Sequence, residues 1–489
     1  MDGQSRASLL DSTWDGRLYS GGWQETAEAF DVLEPATGAR LSRVGAASPE
    51  QVHEAAHEAR RAQRAWAARA FRERAQILRA AAEFVDGNRD VLASWIVRET
   101  GSVRPKADFE LGIVAACLHE AAAMPSQPQG LVLPRDGGCV SFARRLALGV
   151  IGVISPFNFP LYLSLRAVAP ALAVGNAVVL KPDPRTAVTG GMMIARIFEE
   201  AGLPPGVLHV LPGGAEVGEA LCSSPDVAMI QFTGSSATGA RVGELAGRHR
   251  KKVSLELGGK NALIVLDDAD LDLAASNAAF GAFLHQGQIC MSSGRILVQE
   301  TVAQAFVEKL AAKAAALPVG NPATDPVALG PMICESQVIR AHSIVHDSVE
   351  AGAVLAAGGT HEGLFYRPTV LAGVKPGMRA FEEEIFGPVA AITSFADDAE
   401  AVALANRTDY GLSAAVLSDS LSRALAVGNQ LNTGLLHIND QTVADDVVNP
   451  FGGRGASGNG TSIGGPANWD EFTQWQWVTI RDRPPSYPF

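Results

Sequence analysis

Three short stretches hold residue types that nucleophilic and acid–base chemistry uses. "HQGQIC" (285–290) ends on Cys290, between an apolar helical run and the polar turn Ser292-Ser293-Gly294. A cysteine there serves as core filler, metal ligand, disulfide partner or nucleophile. The five cysteines (Cys117, Cys139, Cys222, Cys290, Cys334) are far apart, odd in number and without a C-x-x-C pair. That spacing excludes a local zinc knuckle and argues against a disulfide framework. Core filler and nucleophile stay open, because free cysteine is among the most buried residue types. "LELGGK" (255–260) sets Glu256 among apolar residues at a strand end, before two glycines. A half-buried carboxyl in that place has a raised pKa and suits general-base work; the bland alternative is a structural ion pair. "SPFNFP" (155–160) brackets Asn158 with prolines. Its amide can donate to a developing oxyanion, or simply make an Asx-turn.

Phosphate chemistry has one decoy and one better site. Gly453-Arg454-Gly455-Ala456-Ser457-Gly458 matches G-x-G-x-x-G, but it follows Pro450-Phe451 and opens no helix. A dinucleotide fingerprint needs a strand before and a helix after, so this is read as a structural glycine loop. In "VAMIQFTGSSATGARVGELAG" (227–247) a buried strand runs through Gly234 and Ser235 into a helix starting near Ala237. Helix-start N–H groups and the Ser235 hydroxyl can hold a pyrophosphate, although a plain βα turn has the same letters. "VVLKPDPRT" (178–186) puts Lys181 at a strand's carboxyl end on the same sheet edge, where α/β ligands bind.

The elements that must position these residues are legible in part. Residues 48–101 read as helices, opened by the capping box Ser48-Pro49-Glu50-Gln51 and continued by a periodic run from Arg72 to Val85. From about 147 the texture becomes short β-branched runs separated by helical stretches. Strands are expected at Leu148–Ser155, Ala177–Lys181, Val207–Leu211, Val227–Phe232 and Val253–Leu257, then at Ala262–Leu266, Arg295–Val298, Val389–Phe395 and Leu435–Asn439. This is the signature of two α/β units with parallel sheets, joined near Gly258-Gly259. "CVSFARRLAL" (139–148) and "FTQWQWVTI" (472–480) alternate like strands with no partner nearby in sequence. Both are expected to pair elsewhere or across a subunit boundary.

At 489 residues the chain exceeds one hydrophobic core, so more than one domain is expected. A net charge of −12 argues against non-specific nucleic-acid binding, and the basic run His249-Arg250-Lys251-Lys252 reads as a solvated helix end. Neither a signal peptide nor an apolar run long enough to span a bilayer is visible, which makes the cytoplasm the expected location and a membrane partner unexpected.

Taken in their order and spacing, "SPFNFP", "FTGS", "LELGGK", "HQGQIC", "EEIFGPV" (383–389), "PFGG" and "SGNG" (450–460) closely resemble the aldehyde dehydrogenase superfamily, from about residue 20 to 480. The resemblance implies an α/β fold: a Rossmann-type cofactor domain at 1–125 and 149–258, a catalytic domain at 259–456, and a β bridging element at 126–148 and 470–489. It implies NAD or NADP as cofactor, a small-molecule aldehyde as substrate, no metal, and a homodimer or homotetramer. By motif position Cys290 is the nucleophile, forming a thiohemiacetal and, after hydride transfer, a thioester. The Asn158 amide and the Cys290 N–H form the oxyanion hole, and Glu256 activates water. Lys181, Pro156, Gly234 and Ser235 match adenosine-ribose and pyrophosphate contacts; Glu384 and Phe386 match nicotinamide-ribose contacts.

Departures from the pattern carry information too. Many NAD-preferring relatives place a glutamate three residues after this lysine. Here Pro184 stands there, and Arg185 follows, which removes one barrier to a 2′-phosphate and adds an attraction. Ser462 replaces a second glutamate of some relatives, which leaves Glu256 as the evident base. His285 replaces a common asparagine and is read as a branch marker, not a partner of Cys290. "FLHQGQIC", "KPDPRT" and "HIND" (437–440) resemble the benzaldehyde dehydrogenase branch. That implies an apolar tunnel lined by Phe159, Tyr162, Leu163 and Leu284, with Arg166 touching a polar ring substituent. The competing readings are an aliphatic or semialdehyde dehydrogenase, CoA-acylating included, and a catalytically silent protein of the same fold. The silent reading predicts loss of Cys290, Asn158 or Glu256, and all three are present.

Overall fold

A computed structural model of the chain describes residues 13–135 and 139–489. The Ser48 hydroxyl accepts the Gln51 N–H while the Gln51 side chain accepts the Ser48 N–H, so the expected capping box opens the helix Pro49–Ala68. Helices Phe71–Gly87 and Arg89–Thr100 follow, as the periodicity predicts. A fourth, Arg104–Ala123, goes unmarked in the sequence because ten of its twenty residues are buried and no single apolar stripe stands out.

Two seven-stranded sheets form the centre of the protein. In the first, Lys252–Glu256, Val227–Thr233, Val150–Ile154, Ala177–Lys181 and Leu208–Val210 lie side by side and parallel. Their near-continuous burial explains the β-branched runs: helices cover both faces. The antiparallel edge strands Arg17–Ser20 and Trp23–Glu25 are additions that the sequence did not announce. The second sheet runs from Val354–Ala357 through Thr369–Ala372, Val389–Phe395, Arg295–Gln299 and Ala262–Val265 to Ser413–Leu417 and Leu435–Ile438. Ser413–Leu417 sits between two parallel neighbours, yet "SAAVL" is too alanine-rich to stand out as a strand.

The two orphan strands find each other. Val140–Ala147 pairs antiparallel with Thr473–Ile480 over all eight positions, and Gly130–Val132 extends them to three strands. Val140, Trp475, Trp477 and Ile480 remain exposed on that small sheet. The glycine loop 453–458 is structural, as read: Gly458 bridges Glu256, and Ser457 O accepts the Leu257 N–H at 2.9 Å. A side chain on Gly458 would press against the Leu255 carbonyl at 2.8 Å, so glycine lets this loop pack on the strand that ends in Glu256. Among the described residues no helix is long and apolar enough to cross a membrane.

Candidate active site

The parallel sheet sets Glu256 at the carboxyl end of its strand, beside Thr233 of the next. Asn158 follows the neighbouring strand Val150–Ile154, at the same sheet edge. Cys290 comes on a loop between the turn Leu284–Gly287 and the strand Arg295–Gln299 of the second sheet. His285, Gln286 and Gly287 all have left-handed backbone, with φ of 49°, 56° and 65°. For the two non-glycine residues that costs roughly 1–2 kcal/mol each, so the surroundings must enforce it. They do. Gln286 Nε2 donates to Gly101 O at 2.9 Å, Gln288 Oε1 accepts the Ile333 N–H at 3.0 Å, and a side chain on Gly287 would collide with the Gly387 carbonyl. Asn261 Nδ2 donates to the carbonyls of Cys290 and Ser292, each at 2.8 Å. The "GG" of "LELGGK" has a steric reason. A Cβ on Gly259 would lie 2.5 Å from Cys290 O, and one on Gly258 would strike the Glu384 carboxylate.

Asn158, Leu163, Thr233, Glu256 and Cys290 line two cavities at once, one on each side of the cysteine. The first, of about 250 Å³, has apolar walls that include Phe109, Phe159, Leu284, Met291 and Phe451. The five expected tunnel residues, Phe159, Tyr162, Leu163, Arg166 and Leu284, all line it. The second is a more polar cleft of about 630 Å³. It gathers Pro156, Lys181, Arg185, Gly234, Ser235, Glu384 and Phe386, the seven residues expected to touch the cofactor.

Burial dominates the electrostatics. The Cys290 thiol is pushed up to about 12 by burial, then by the nearby carboxylates of Glu384 and Glu256. Glu256 is 4% exposed, and neither carboxylate oxygen has a hydrogen-bond partner among the described residues. Burial holds its pKa well above the usual carboxylate range, against the pull of the Arg166 guanidinium. Glu384 is raised to about 7 by burial, opposed by the Gly259 N–H that donates to it at 3.0 Å. Burial also lowers the Lys181 ammonium.

Both arginines expected at the site already face a carboxylate. Arg166 lines the tunnel, but its charge is already taken. Its guanidinium holds Asp445 at 2.9 and 3.3 Å, donates to Ile463 O at 3.3 Å and lies over the Phe451 ring at 4.2 Å. The Tyr162 hydroxyl donates to the same carboxylate at 3.0 Å. Asp445 and Ile463 thus engage its terminal nitrogens, while the buried Arg166 Nε has no hydrogen-bond partner among the described residues. Asp445→Ala would leave a buried guanidinium uncompensated, and a loss of about 3 kcal/mol of stability is expected from denaturant titration. A change under about 1 kcal/mol would mean that water already screens the pair. Arg185 is likewise occupied: Asp183 accepts from its Nε at 2.9 Å and Nη2 at 2.7 Å, and the guanidinium stacks on Phe157 at 4.2 Å. Its expected attraction for a 2′-phosphate is thus largely neutralised by a neighbour two residues away.

His285 lines neither cavity. Its ring packs edge-on against Phe159 at 5.8 Å, and burial plus the Lys106 ammonium keep its pKa well below the ordinary value. The ring is thus held neutral and packed on Phe159. Sequence reasoning missed Asp445, Gln231 and Lys106, all of which line the tunnel. The one available hint was Arg166 itself, a cation on an apolar helix that must find a counter-charge somewhere.

The sequence profile of the aldehyde dehydrogenase family matches residues 23–478. The chain belongs to the aldehyde dehydrogenase family. Within it, the chain is 54% identical to a vanillin dehydrogenase of Amycolatopsis sp., over 98% of this chain and 99% of that one. It is 50% identical to a benzaldehyde dehydrogenase [NAD(+)] of Pseudomonas putida, over 97% and 98%. Among solved aldehyde dehydrogenase structures, that of a salicylaldehyde dehydrogenase from Pseudomonas putida G7, complexed with salicylaldehyde, superposes with a TM-score of 0.94 at 34% identity. The match covers 97% of this chain and 99% of that one.

Proposed function

We propose that this NAD(P)+-dependent aldehyde dehydrogenase oxidises aromatic aldehydes to carboxylic acids. The observation that carries the reading is the narrow tunnel of about 250 Å³, walled by aromatic and aliphatic side chains and ending at Cys290. A flat ring fills such a slot and loses little conformational freedom on entry, whereas a flexible chain must freeze several torsions. The names of the vanillin, benzaldehyde and salicylaldehyde relatives point the same way.

The polar cleft fits a dinucleotide on its own terms. Its wall includes the opening of the helix Ser236–Arg248, where Ser235 Oγ accepts the Thr238 N–H and the Ser236 and Ala237 amides, which have no partner within the helix, can meet phosphate. Lys181 and Glu384 stand ready for ribose hydroxyls. When bound, the nicotinamide accepts a hydride. In this mechanism the Cys290 thiol gives its proton to solvent, the thiolate sulfur adds to the aldehyde carbon, and the resulting oxyanion is held by the Asn158 amide and the Cys290 N–H. Loss of hydride from that carbon leaves a thioester on Cys290. Glu256 takes a proton from water, the water oxygen adds to the thioester carbon, and the acid departs as the thiolate is restored. We also propose a homodimer or homotetramer bridged by the exposed apolar edge around Val140 and Trp477; sedimentation of a monomer would overturn this. Five unpaired cysteines fit a cytoplasmic location.

The test is a panel of benzaldehydes against straight-chain aldehydes of equal carbon number, run with NAD+ and with NADP+. A kcat/KM at least about tenfold higher for the aromatic members is expected, from a difference of a few packed carbons. Equal or better turnover of heptanal would sink the aromatic reading.

A further inference from the structure

The helix that follows Asn158, Pro160–Ala173, has no local cap. Its N-cap residue is Phe159, whose side chain cannot accept a hydrogen bond, and Pro160 has no N–H to offer. The first free amides, Leu161 and Tyr162, are satisfied from some fifty residues upstream. Glu110 Oε1 accepts both, at 3.0 and 3.1 Å. The other carboxylate oxygen of Glu110 accepts from Lys106 Nζ at 2.6 Å, one turn earlier on the helix Arg104–Ala123. Both side chains are completely buried. Lys106 Nζ also lies 4.1 Å from the centre of the Phe159 ring. Three of the four residues after Asn158 are thus gripped by one ion pair, the ring of Phe159 by the cation and the amides of Leu161 and Tyr162 by the anion.

Burying two charges is costly, and such a pair can often be replaced by apolar residues without loss of stability. Its retention beside a reactive group calls for a positional explanation. We propose that Glu110 and Lys106 are positioning residues that fix the Asn158 side chain by clamping the first turn of the helix behind it. The proposal rests on the reading of Asn158 as the oxyanion donor. Displacement of a catalytic group by about 1 Å can cost on the order of 10² in rate, so the clamp should be visible in kcat.

Lys106→Met/Glu110→Leu removes both charges and the acceptor; Lys106→Met/Glu110→Gln removes the charges but keeps an amide oxygen for Leu161 and Tyr162. With benzaldehyde and NAD+, the first is expected to lose roughly 10–100-fold in kcat with KM changed less than about threefold, and the second to recover most of that loss. Combining the first pair with Asn158→Ala is the decisive step. If the clamp acts through Asn158, the combination turns over within about threefold of Asn158→Ala alone. Multiplying losses, or equal losses in the Leu and Gln variants, would overturn the proposal. Should the Leu variant melt below assay temperature, Glu110→Asp, which keeps the charge but draws the acceptor back from Leu161 and Tyr162, is expected to lower kcat in the parent and not in the Asn158→Ala background; losses in both would overturn the proposal. An Asn158→Ala enzyme with undiminished kcat would instead overturn the oxyanion reading, a separate failure.

Discussion

Cys290→Ala is expected to lower aldehyde turnover by about 10⁴-fold or more while leaving the fold and cofactor binding intact, because it deletes the atom proposed to carry the acyl group. The structural argument for an intact fold is specific. The loop is held by Asn261 on the Cys290 carbonyl, by Gln286 and Gln288, and by the glycine at 287, none of which involves the sulfur. Thermal melting within a few degrees of the parent and an undiminished upward shift on adding NAD+ would document that. Residual activity above about 1% of the parent would put the chemistry on another residue. The same burial sets the pH response of the free protein. A thiol pushed up to about 12 is scarcely ionised at neutrality, so the thiolate fraction rises about tenfold per pH unit. Inactivation by iodoacetamide without cofactor should therefore be slow at pH 7 and climb steeply to pH 9. A flat profile would contradict the raised thiol pKa.

Glu256→Gln is expected to separate the two halves of the reaction. Mixing with benzaldehyde and NAD+ should give a rapid burst of reduced nicotinamide approaching one equivalent per active site. A steady rate lowered about 10²–10³-fold should follow, since water then lacks its base. The burst should survive because the main obstacle to ionising Cys290 is desolvation, and neutralising Glu256 removes one of the carboxylates that oppose it. In the parent, burial raises the Glu256 pKa, so its basic form accumulates as pH rises and the steady rate should climb on the acid side. The Gln variant should lack that limb. A steady rate unchanged by the substitution would remove Glu256 from the hydrolytic step.

The reach of the sequence differed from element to element for physical reasons. Strands such as Ala177–Lys181 and Val389–Phe395 were placed to the residue because β-branched runs are bounded by turn residues. Ser413–Leu417 and the helix Arg104–Ala123 were not, since an alanine-rich strand and a half-buried helix without an apolar stripe carry no clear period to read. The residues expected around the site came from motif letters, and their gathering around two cavities could not be deduced from spacing alone. Least legible were partners at long range. Asp445 sits 279 residues from the Arg166 it holds, and Glu110 caps a helix that begins fifty residues later. No local pattern encodes either meeting, and the carboxylates that pair with Arg166 and Arg185 were out of sight or unweighed.

The pairing of Val140–Ala147 with Thr473–Ile480 sets an order of events during synthesis. Arg144 and Gln476, hydrogen-bonded across that pair, are separated by 332 residues. At roughly 5–20 residues per second the ribosome needs on the order of 20–70 seconds to supply the second strand after the first. For all that time the edge of Val140–Ala147 waits open, an invitation to wrong pairing that a chaperone would have to shield. The carboxylate that locks Arg166 and the glycine loop behind Glu256 emerge in the same late portion of the chain. Truncation before 473 should therefore yield a chain that aggregates, measured by light scattering, instead of a weak enzyme.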